Sequence, residues 1–323
     1  MRIRKSLIPG LVLVLPLLFL MISGVKVESA TDKPIIVCTT NAIGSLVRGF
    51  LGDTADIVVL VQPGLCPADF DMKPSDIYAV SNARVLFKQN IPGEFWLQDL
   101  LDAAENANLT QVAIPGVYNT PEGAKKYIRW VGGNLTQILD VDLDTEISEM
   151  LLEVDAVSSW MTSQAQALQV STVKVICMQW LKTFVESVGF TVVAAYNPPE
   201  TLSAGDINSL IETAQNEDVA LIVDNLQIDV DFGRGVAVEV GAEHVVLTNF
   251  PGAIPGTETL AQMLRYDAAQ LFNGTTTWRS TATLRAERDD LKNQVTTFQI
   301  TTSIAVIVVA VEAVWLYIGR KRR

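Results

Sequence analysis

The chain has 323 residues, enough for about two domains, and its 36 acidic and 24 basic side chains give a formal net charge of -12. This excess of negative charge argues against nucleic acid as a partner, whose phosphates are negative too. With one His, and no nucleophile elbow, phosphate loop or His-containing metal signature, the sequence argues against an enzyme.

Residues 1–30 have the composition of a secretory signal peptide. They begin with basic residues that include Arg2 and Arg4, continue through the apolar run Leu11–Ile22 and end at the small residue Ala30. No Cys follows the run, so a lipoprotein anchor is not expected. The alternative interpretation is an N-terminal anchor that is not cleaved.

Short β-branched segments alternate with amphipathic segments through residues 31–142. The first pair is a strand at Ile35–Thr39 and a helix at Asn41–Leu51, whose apolar residues share one face. A second predicted strand, Ala55–Val61, follows, and two further strands lie between residues 84 and 114. Alternation at this spacing predicts a first α/β lobe with a parallel sheet and helices on both faces.

The sequence of residues 143–273 predicts one long helix and a second lobe. Residues 143–170 include Asp144–Gln169, a stretch without Gly or Pro that is rich in helix-forming residues. Residues 171–273 then repeat the alternation of strands and helices. The predicted fold class is therefore α/β, with two Rossmann-like lobes with parallel sheets joined by one long helix and a cleft between their facing sheet edges.

The C-terminal part of the chain predicts a membrane anchor. Residues 274–299 are polar with apolar residues at heptad-like spacing, which favours a helical stalk. Residues 300–319 are almost wholly apolar, and the basic tail 320–323 follows. We therefore expect a transmembrane helix and a single-pass protein at the cell membrane, with its ectodomain outside and its C terminus cytoplasmic.

The stretch Pro63–Asp76, with the sequence PGLCPADFDMKPSD, directly follows the predicted buried strand Ala55–Val61. A loop in this position lies at the carboxyl edge of the sheet, where open α/β folds bind their ligands. The sequence therefore places a candidate binding site here.

This loop resembles that of the cluster A-1 solute-binding proteins, which deliver zinc or manganese to ABC importers and whose loop reads roughly Pro-Gly-x-x-Pro-His-x-Tyr/Phe-Glu/Asp-x-x-Pro-Ser-Asp. The opening strand at Val37–Thr40 and the phrase from Met178 to Gly189 are similar to the family as well. The resemblance covers about Pro34–Phe272. It implies two α/β lobes held rigidly by the long helix, a metal ion in the cleft and an ABC permease as partner.

At the four positions where the family places its metal ligands, this sequence departs from the pattern. The resemblance places Ala68, Gly116, Met178 and Asn249 where the family has three His or two His with carboxylates. Zinc normally takes Cys, His or carboxylate ligands, so the usual ligand set is absent.

Two replacement sets are candidates for a metal site. Cys66, Met178 and Cys38 lie at the ends of predicted strands, and their soft sulfur atoms favour Cu(I) or a similar metal. Alternatively, Cys38 and Cys66 form a disulfide, while Cys177 and Met178 are simply core residues.

Oxygen ligands are the second set. Asp69, Asp71 and Asp224 lie at strand ends, where carboxylates could hold a hard cation, and Asn249 adds an amide. Asp71 is better explained as a residue that fixes the loop. The one His, His244, is expected at the surface, away from the cleft.

Two functions follow from these observations. The first is a membrane-anchored solute-binding protein of a metal-ion ABC importer, with zinc, manganese or Cu(I) in the cleft. The alternative is a surface protein that keeps the scaffold but has lost metal binding, and that acts through protein contacts or binds another small solute.

Overall fold

The structure is a computed structural model that describes residues 33–91 and 93–321, without the side chains of 285–290 and 305–321. The signal peptide predicted at 1–30 lies outside the described residues. From Pro34 onward the chain forms one compact unit. Both lobes and the helix that joins them belong to this unit.

Lobe one contains a four-stranded sheet in which all neighbouring strands are parallel, in the order β2-β1-β3-β4. Its strands are β1 (Ile35–Cys38), β2 (Asp56–Val59), β3 (Val85–Lys88) and β4 (Thr110–Ala113). Its helices are α1 (Asn41–Leu51), α2 (Pro74–Asn82), α3 (Leu97–Ala104) and α4 (Pro121–Leu139). Apart from Lys88 at the end of β3, the residues of the central strands β1 and β3 are apolar, as expected for strands covered on both faces.

Lobe two repeats this arrangement with a parallel sheet in the order β6-β5-β7-β8. Its strands are β5 (Lys174–Met178), β6 (Thr191–Tyr196), β7 (Leu221–Asn225) and β8 (Glu243–Leu247). The helices between these strands are α6 (Lys182–Val188), α7 (Ala204–Asn216) and α8 (Asp231–Val240). The two similar lobes with parallel sheets are confirmed.

The predicted connecting helix is α5 (Asp144–Ala167), which follows lobe one directly. It buries Val154, Val157 and Met161 in a hydrophobic core that includes residues of both lobes. A smaller cluster around Leu86 and Leu100 lies in lobe one alone. Because one core runs through both lobes, moving one lobe against the other would expose apolar surface, which favours a rigid arrangement.

The last helix, α9, runs from Leu260 to Lys321 without interruption and begins inside the fold, where Leu264 and Leu271 are fully buried. The stalk and the transmembrane helix were predicted as separate segments of this region. The structure has a single helix here.

The transmembrane helix predicted at 300–319 is contradicted. Among the residues that the structure describes, no helix combines the length and the apolar character needed to cross a membrane. The side chains described in the predicted span, 300–304, include three hydroxyl groups, and the preceding turns of α9 are polar; the side chains of 305–319 lie outside the described residues. Anchoring through this helix, and the single-pass location with a cytoplasmic C terminus, were therefore wrong.

Candidate binding cleft

A cleft of about 550 Å³ lies between the two lobes. Lobe one contributes the loops that follow β2, β3 and β4, and lobe two contributes those that follow β5, β7 and β8. These loops lie at the carboxyl ends of parallel strands, the usual ligand-binding edge of such sheets. The lining residues are Cys66, Pro67, Ala68, Gln89, Ile91, Gly93, Phe95, Gly116, Val117, Tyr118, Asn119, Gln179, Trp180, Thr183, Asn225, Gln227, Asn249 and Phe250.

The described lining of this cleft carries no Asp, Glu, His, Lys or Arg. Its polar groups are mainly the carboxamides of Gln89, Asn119, Gln179, Asn225, Gln227 and Asn249. Carboxamides donate and accept hydrogen bonds but have no net charge. The polar groups of the cleft are therefore mainly uncharged amides, in a chain whose net charge is -12.

Aromatic residues hold the loop Pro63–Asp76 in place. The indole Nε1 of Trp96 donates a hydrogen bond of 2.8 Å to the carbonyl oxygen of Pro67, and the ring of Phe70 lies 4.1 Å from that of Trp96 between centroids. At the far end, the carboxylate of Asp76 accepts a hydrogen bond of 2.9 Å from the backbone N–H of Lys73. These contacts position Cys66, Pro67 and Ala68 at the cleft.

A buried carboxyl group, Glu94, orders the neighbouring loop after β3. It accepts hydrogen bonds from the hydroxyl of Thr39 and from the backbone N–H groups of Gln89 at 3.3 Å and Asn90 at 2.7 Å. Burial raises the pKa of Glu94, against the opposing effect of these hydrogen bonds. Sequence reasoning missed Glu94, which holds Gln89 at the cleft without lining it.

The loop after β4 is held by Tyr127 of α4. Its hydroxyl donates to the carbonyl oxygens of Ile114 at 2.8 Å and Gly116 at 3.0 Å. The hydroxyl of Thr120 accepts from the N–H of Gly123 at 3.0 Å and so begins α4. The segment between these anchors presents Tyr118 and Asn119 to lobe two.

Neutral hydrogen bonds join the lobes directly at the cleft. The amide nitrogen Nδ2 of Asn119 donates to Oδ1 of Asn249 at 3.0 Å and to the carbonyl oxygen of Trp180 at 3.2 Å. The hydroxyl of Tyr118 donates to the carbonyl oxygen of Asn249 at 2.8 Å. A position that the sequence analysis proposed as a metal ligand, Asn249, therefore bonds across the cleft to the chain itself.

Two more hydrogen bonds between the lobes lie beside these. Nδ2 of Asn41 donates to the carbonyl oxygen of Pro251 at 2.5 Å, and Nε2 of Gln227 donates to the carbonyl oxygen of Pro63 at 2.8 Å. Both amide side chains are buried. The lobes are thus connected by the chain's own polar groups as well as by the shared hydrophobic core.

The three sulfur ligands proposed from the sequence do not share one environment. Cys66 is half-buried and lines the cleft, whereas Cys38 and Met178 are fully buried in β1 and β5. Burial raises the pKa of Cys38 to about 12 and also raises the pKa of Cys66. The sulfur of Met178 accepts a hydrogen bond from the N–H of Trp180 at 3.3 Å. All three cysteines are free thiols, so the alternative of a Cys38–Cys66 disulfide is not realised.

The oxygen ligands proposed from the sequence also lie in different environments and do not form one site. Asp69 is exposed on the loop and does not line the cleft, unlike Asn249. Asp224 is fully buried, accepts a hydrogen bond from the hydroxyl of Tyr196 and pairs with Nε2 of His244 at 2.7 Å. Among the described residues, no three His, Cys, Asp or Glu side chains could hold one metal ion together.

The environment of His244 also differs from the sequence-based expectation of a surface residue. Its side chain is only 16% exposed because β8 places it beside Asp224. Among the cleft residues that sequence reasoning missed are Gln89, Tyr118, Asn119, Trp180 and Gln227. Each follows the carboxyl end of a strand, which is the signal that could have found them.

Residues 36–274 match the family described as zinc-uptake complex component A, periplasmic, and the chain belongs to this family. The resemblance found in the loop is therefore confirmed. Among curated proteins, the manganese-binding lipoprotein MntA of Halalkalibacterium halodurans is 20% identical over 267 residues, which span 74% of this chain and 87% of MntA. The iron ABC transporter substrate-binding lipoprotein MtsA of Streptococcus pyogenes is 30% identical over 106 residues, 32% of this chain and 34% of MtsA.

Solved structures show the same fold. The Mn-bound periplasmic metal binding protein of Candidatus Liberibacter asiaticus superposes with a TM-score of 0.65 at 13% identity, over 75% of this chain and all of that one. A crystal structure of ZnuA gives 0.62 at 18% identity, over 76% of this chain and all of that one. At this identity the likeness concerns the fold.

Proposed function

We propose that this chain is the solute-binding component of an ABC uptake system of the zinc and manganese type, and that it is not an enzyme. The observation that carries the proposal is the cleft of about 550 Å³ at the carboxyl edges of both sheets, in a chain that belongs to the zinc-uptake family. The names of MntA and MtsA describe a manganese-binding lipoprotein and an ABC transporter substrate-binding lipoprotein. The proposed partner is therefore an ABC permease with its ATPase.

A metal ion is the first cargo to test, because the relatives are named for manganese, iron and zinc. The four positions aligned with the family's ligands supply few atoms that could coordinate a bare metal ion. Ala68 and Gly116 have no side-chain donor atom, the sulfur of Met178 is buried against Trp180, and Oδ1 of Asn249 already accepts from Asn119.

The described lining therefore does not fit bare Zn²⁺ or Mn²⁺, which favour imidazole, thiolate or carboxylate ligands. This neutral lining favours the alternative in which the scaffold has lost metal binding and binds another small solute. In the function proposed here, that solute is the cargo of the importer.

The transport role is tested by adding the full chain to the zinc/manganese-type permease and ATPase of the same organism, reconstituted in lipid nanodiscs. We expect the chain to raise ATP hydrolysis by the importer in a saturable manner. A solute-binding protein of an unrelated importer is the control and should give no increase. An unchanged rate with the full chain, in a preparation whose ATPase is active, would contradict the proposal.

A further inference from the structure

We propose that the cleft takes an uncharged organic solute with a planar ring, held by carboxamide hydrogen bonds and aromatic contacts, in place of a bare metal ion. The inference deepens the proposed function and rests on it only in treating this solute as the cargo.

The first observation is that the described lining of the cleft carries almost no ionisable side chain. The described lining has no ionisable side chain except the thiol of Cys66 and the phenol of Tyr118, and burial raises the pKa of both. A charged solute would lose water on entering and would gain no opposite charge in return, which is unfavourable. A neutral solute avoids this cost.

Hydrogen-bonding capacity is the second observation. Asn225 and Asn249 are 1% and 7% exposed, and their Oδ1 atoms accept from the N–H of Gln227 and from Asn119. Both residues line the cleft, and their Nδ2 groups have no acceptor among the hydrogen bonds of the described residues. A carboxamide nitrogen without an acceptor can donate to a carbonyl or ring nitrogen of a solute.

The third observation is the apolar surface at the same place. Phe95 and Val117 of lobe one are 72% and 47% exposed, and Trp180 of lobe two is 44% exposed. All three line the cleft. Exposed apolar residues that converge on a concave site from two lobes are typical of a binding surface for an organic molecule. The indole of Trp180 offers a flat face for a ring.

Size agrees with this assignment. Pockets for small organic molecules range over roughly 300 to 1,000 Å³, and this cleft measures about 550 Å³. A bare ion is held by ligand atoms at roughly 2.0 to 2.6 Å, which requires side chains that converge far more closely.

The test uses the full chain and three pairs of probes that differ in charge: nicotinamide and nicotinate, adenosine and AMP, uridine and UMP. ZnCl₂ and MnCl₂ are measured beside them. Binding is followed by tryptophan fluorescence and by isothermal titration calorimetry. We expect at least one neutral probe to bind with one-to-one stoichiometry and its charged partner to bind at least about tenfold more weakly.

Two variants locate the binding. Trp180→Ala should weaken binding of the neutral probe by about fivefold or more, because stacking on an aromatic face is lost. Trp130→Ala is the matched control, because Trp130 is 46% exposed on α4 and does not line the cleft. The control should leave the affinity unchanged.

The proposal is overturned if none of the neutral probes binds, if the charged partners bind equally well, or if Zn²⁺ or Mn²⁺ binds stoichiometrically and Trp180→Ala has no effect on any neutral probe. Failure of this inference is distinguishable from failure of the transport role. Stimulation of the importer's ATPase without binding of a neutral probe would contradict only the inference about the solute. Binding of a neutral probe without stimulation would contradict only the transport role.

Discussion

The interior of lobe two contains a buried carboxyl–imidazole pair, whereas the polar side chains of the cleft are mainly amides. Two consecutive residues of β7 show the difference. Asp224 is fully buried and contacts Tyr196 and His244, whereas Asn225 lines the cleft. Successive side chains of a strand point to opposite faces of the sheet. A carboxylate and a neutral amide therefore reach different sides of lobe two although they are neighbours in sequence.

This comparison explains why residues suited to metal binding do not make a metal site here. The imidazole of His244 and the carboxylate of Asp224 satisfy one another inside the lobe, next to α8, where Gly233 leaves room for the carboxylate. In the cleft, neutral amides bond across the lobes instead. The type of residue present in the chain matters less than the face of the strand on which it lies.

The largest expected difference between the two regions is in thiol reactivity. Cys66 lines the cleft, whereas Cys38 and Cys177 are fully buried and burial raises the pKa of each to about 12. A thiol reagent such as DTNB at pH 8 should label one cysteine at least about a hundredfold faster than the other two, because the thiolate is the reactive form and buried sites must first open.

Cys66→Ser should remove the fast phase, while Cys177→Ser should leave it in place. Fast labelling of two or three thiols in the unmodified chain would show that the interior is more accessible than the structure indicates.

Removal of the buried carboxylate tests the interior by itself. Asp224→Ala should lower the free energy of unfolding by about 3 kcal/mol, because Tyr196 and His244 lose a buried partner. Chemical denaturation of the full chain measures the change. Asp231→Ala is the control, since it removes an exposed ion pair with Arg234 and should cost less than about 1 kcal/mol. Equal losses in the two variants would contradict a structural role for Asp224.

The hydrogen bonds across the cleft should contribute less than the buried carboxylate. Asn119→Ala removes two bonds between the lobes and should cost about 1.5 kcal/mol in the same measurement. Asn134→Ala, which removes only a bond of 2.8 Å to the carbonyl of Trp130 within α4, should be close to neutral. If Asn119→Ala is also neutral, its two hydrogen bonds do not contribute to holding the lobes together.

Sequence reasoning found the two lobes and the connecting helix because both depend on local periodicity. Alternating segments such as Ile35–Thr39 and Asn41–Leu51 identify strands and helices without knowledge of contacts. The loop Pro63–Asp76 was recognisable for the same reason, since its position after a buried strand defines the sheet edge. Each of these features is determined by residues that lie within a few tens of positions of one another in the sequence.

The cleft itself could be found only in part, because its contacts join residues far apart in the chain. Asn119 and Asn249 are 130 residues apart, and nothing local indicates that one amide bonds the other. The same limit applies to Asp224, which the sequence predicts as a ligand from its place at a strand end. Its pairing with His244 depends on the order of β7 and β8, which the local sequence does not show. The transmembrane prediction was wrong for a different reason: residues 300–319 were judged almost wholly apolar although the segment begins with the hydroxyl residues Thr301, Thr302 and Ser303.

The smallest expected effect concerns Asp267 of α9, which is 2% exposed and accepts a hydrogen bond of 3.0 Å from the N–H of Thr248, beside the cleft residue Asn249. Burial raises the pKa of Asp267 well above its ordinary value. As the pH rises above about 4, this group loses its proton in the unfolded chain before it does so in the folded one, so its contribution to stability falls with rising pH.

Asp267→Asn keeps the acceptor for Thr248 and removes the titration, so the variant should gain stability relative to the unmodified chain as the pH rises from 5 to 8, by about 2 °C or more in Tm. Thermal unfolding of the full chain at each pH measures the difference. Asp99→Asn removes an exposed carboxylate of α3 and is the control, which should follow the unmodified chain throughout. A Tm difference for Asp267→Asn that does not grow with pH would show that this carboxyl titrates alike in the folded and unfolded chain, and that Asn249 is positioned next to an ordinary carboxylate.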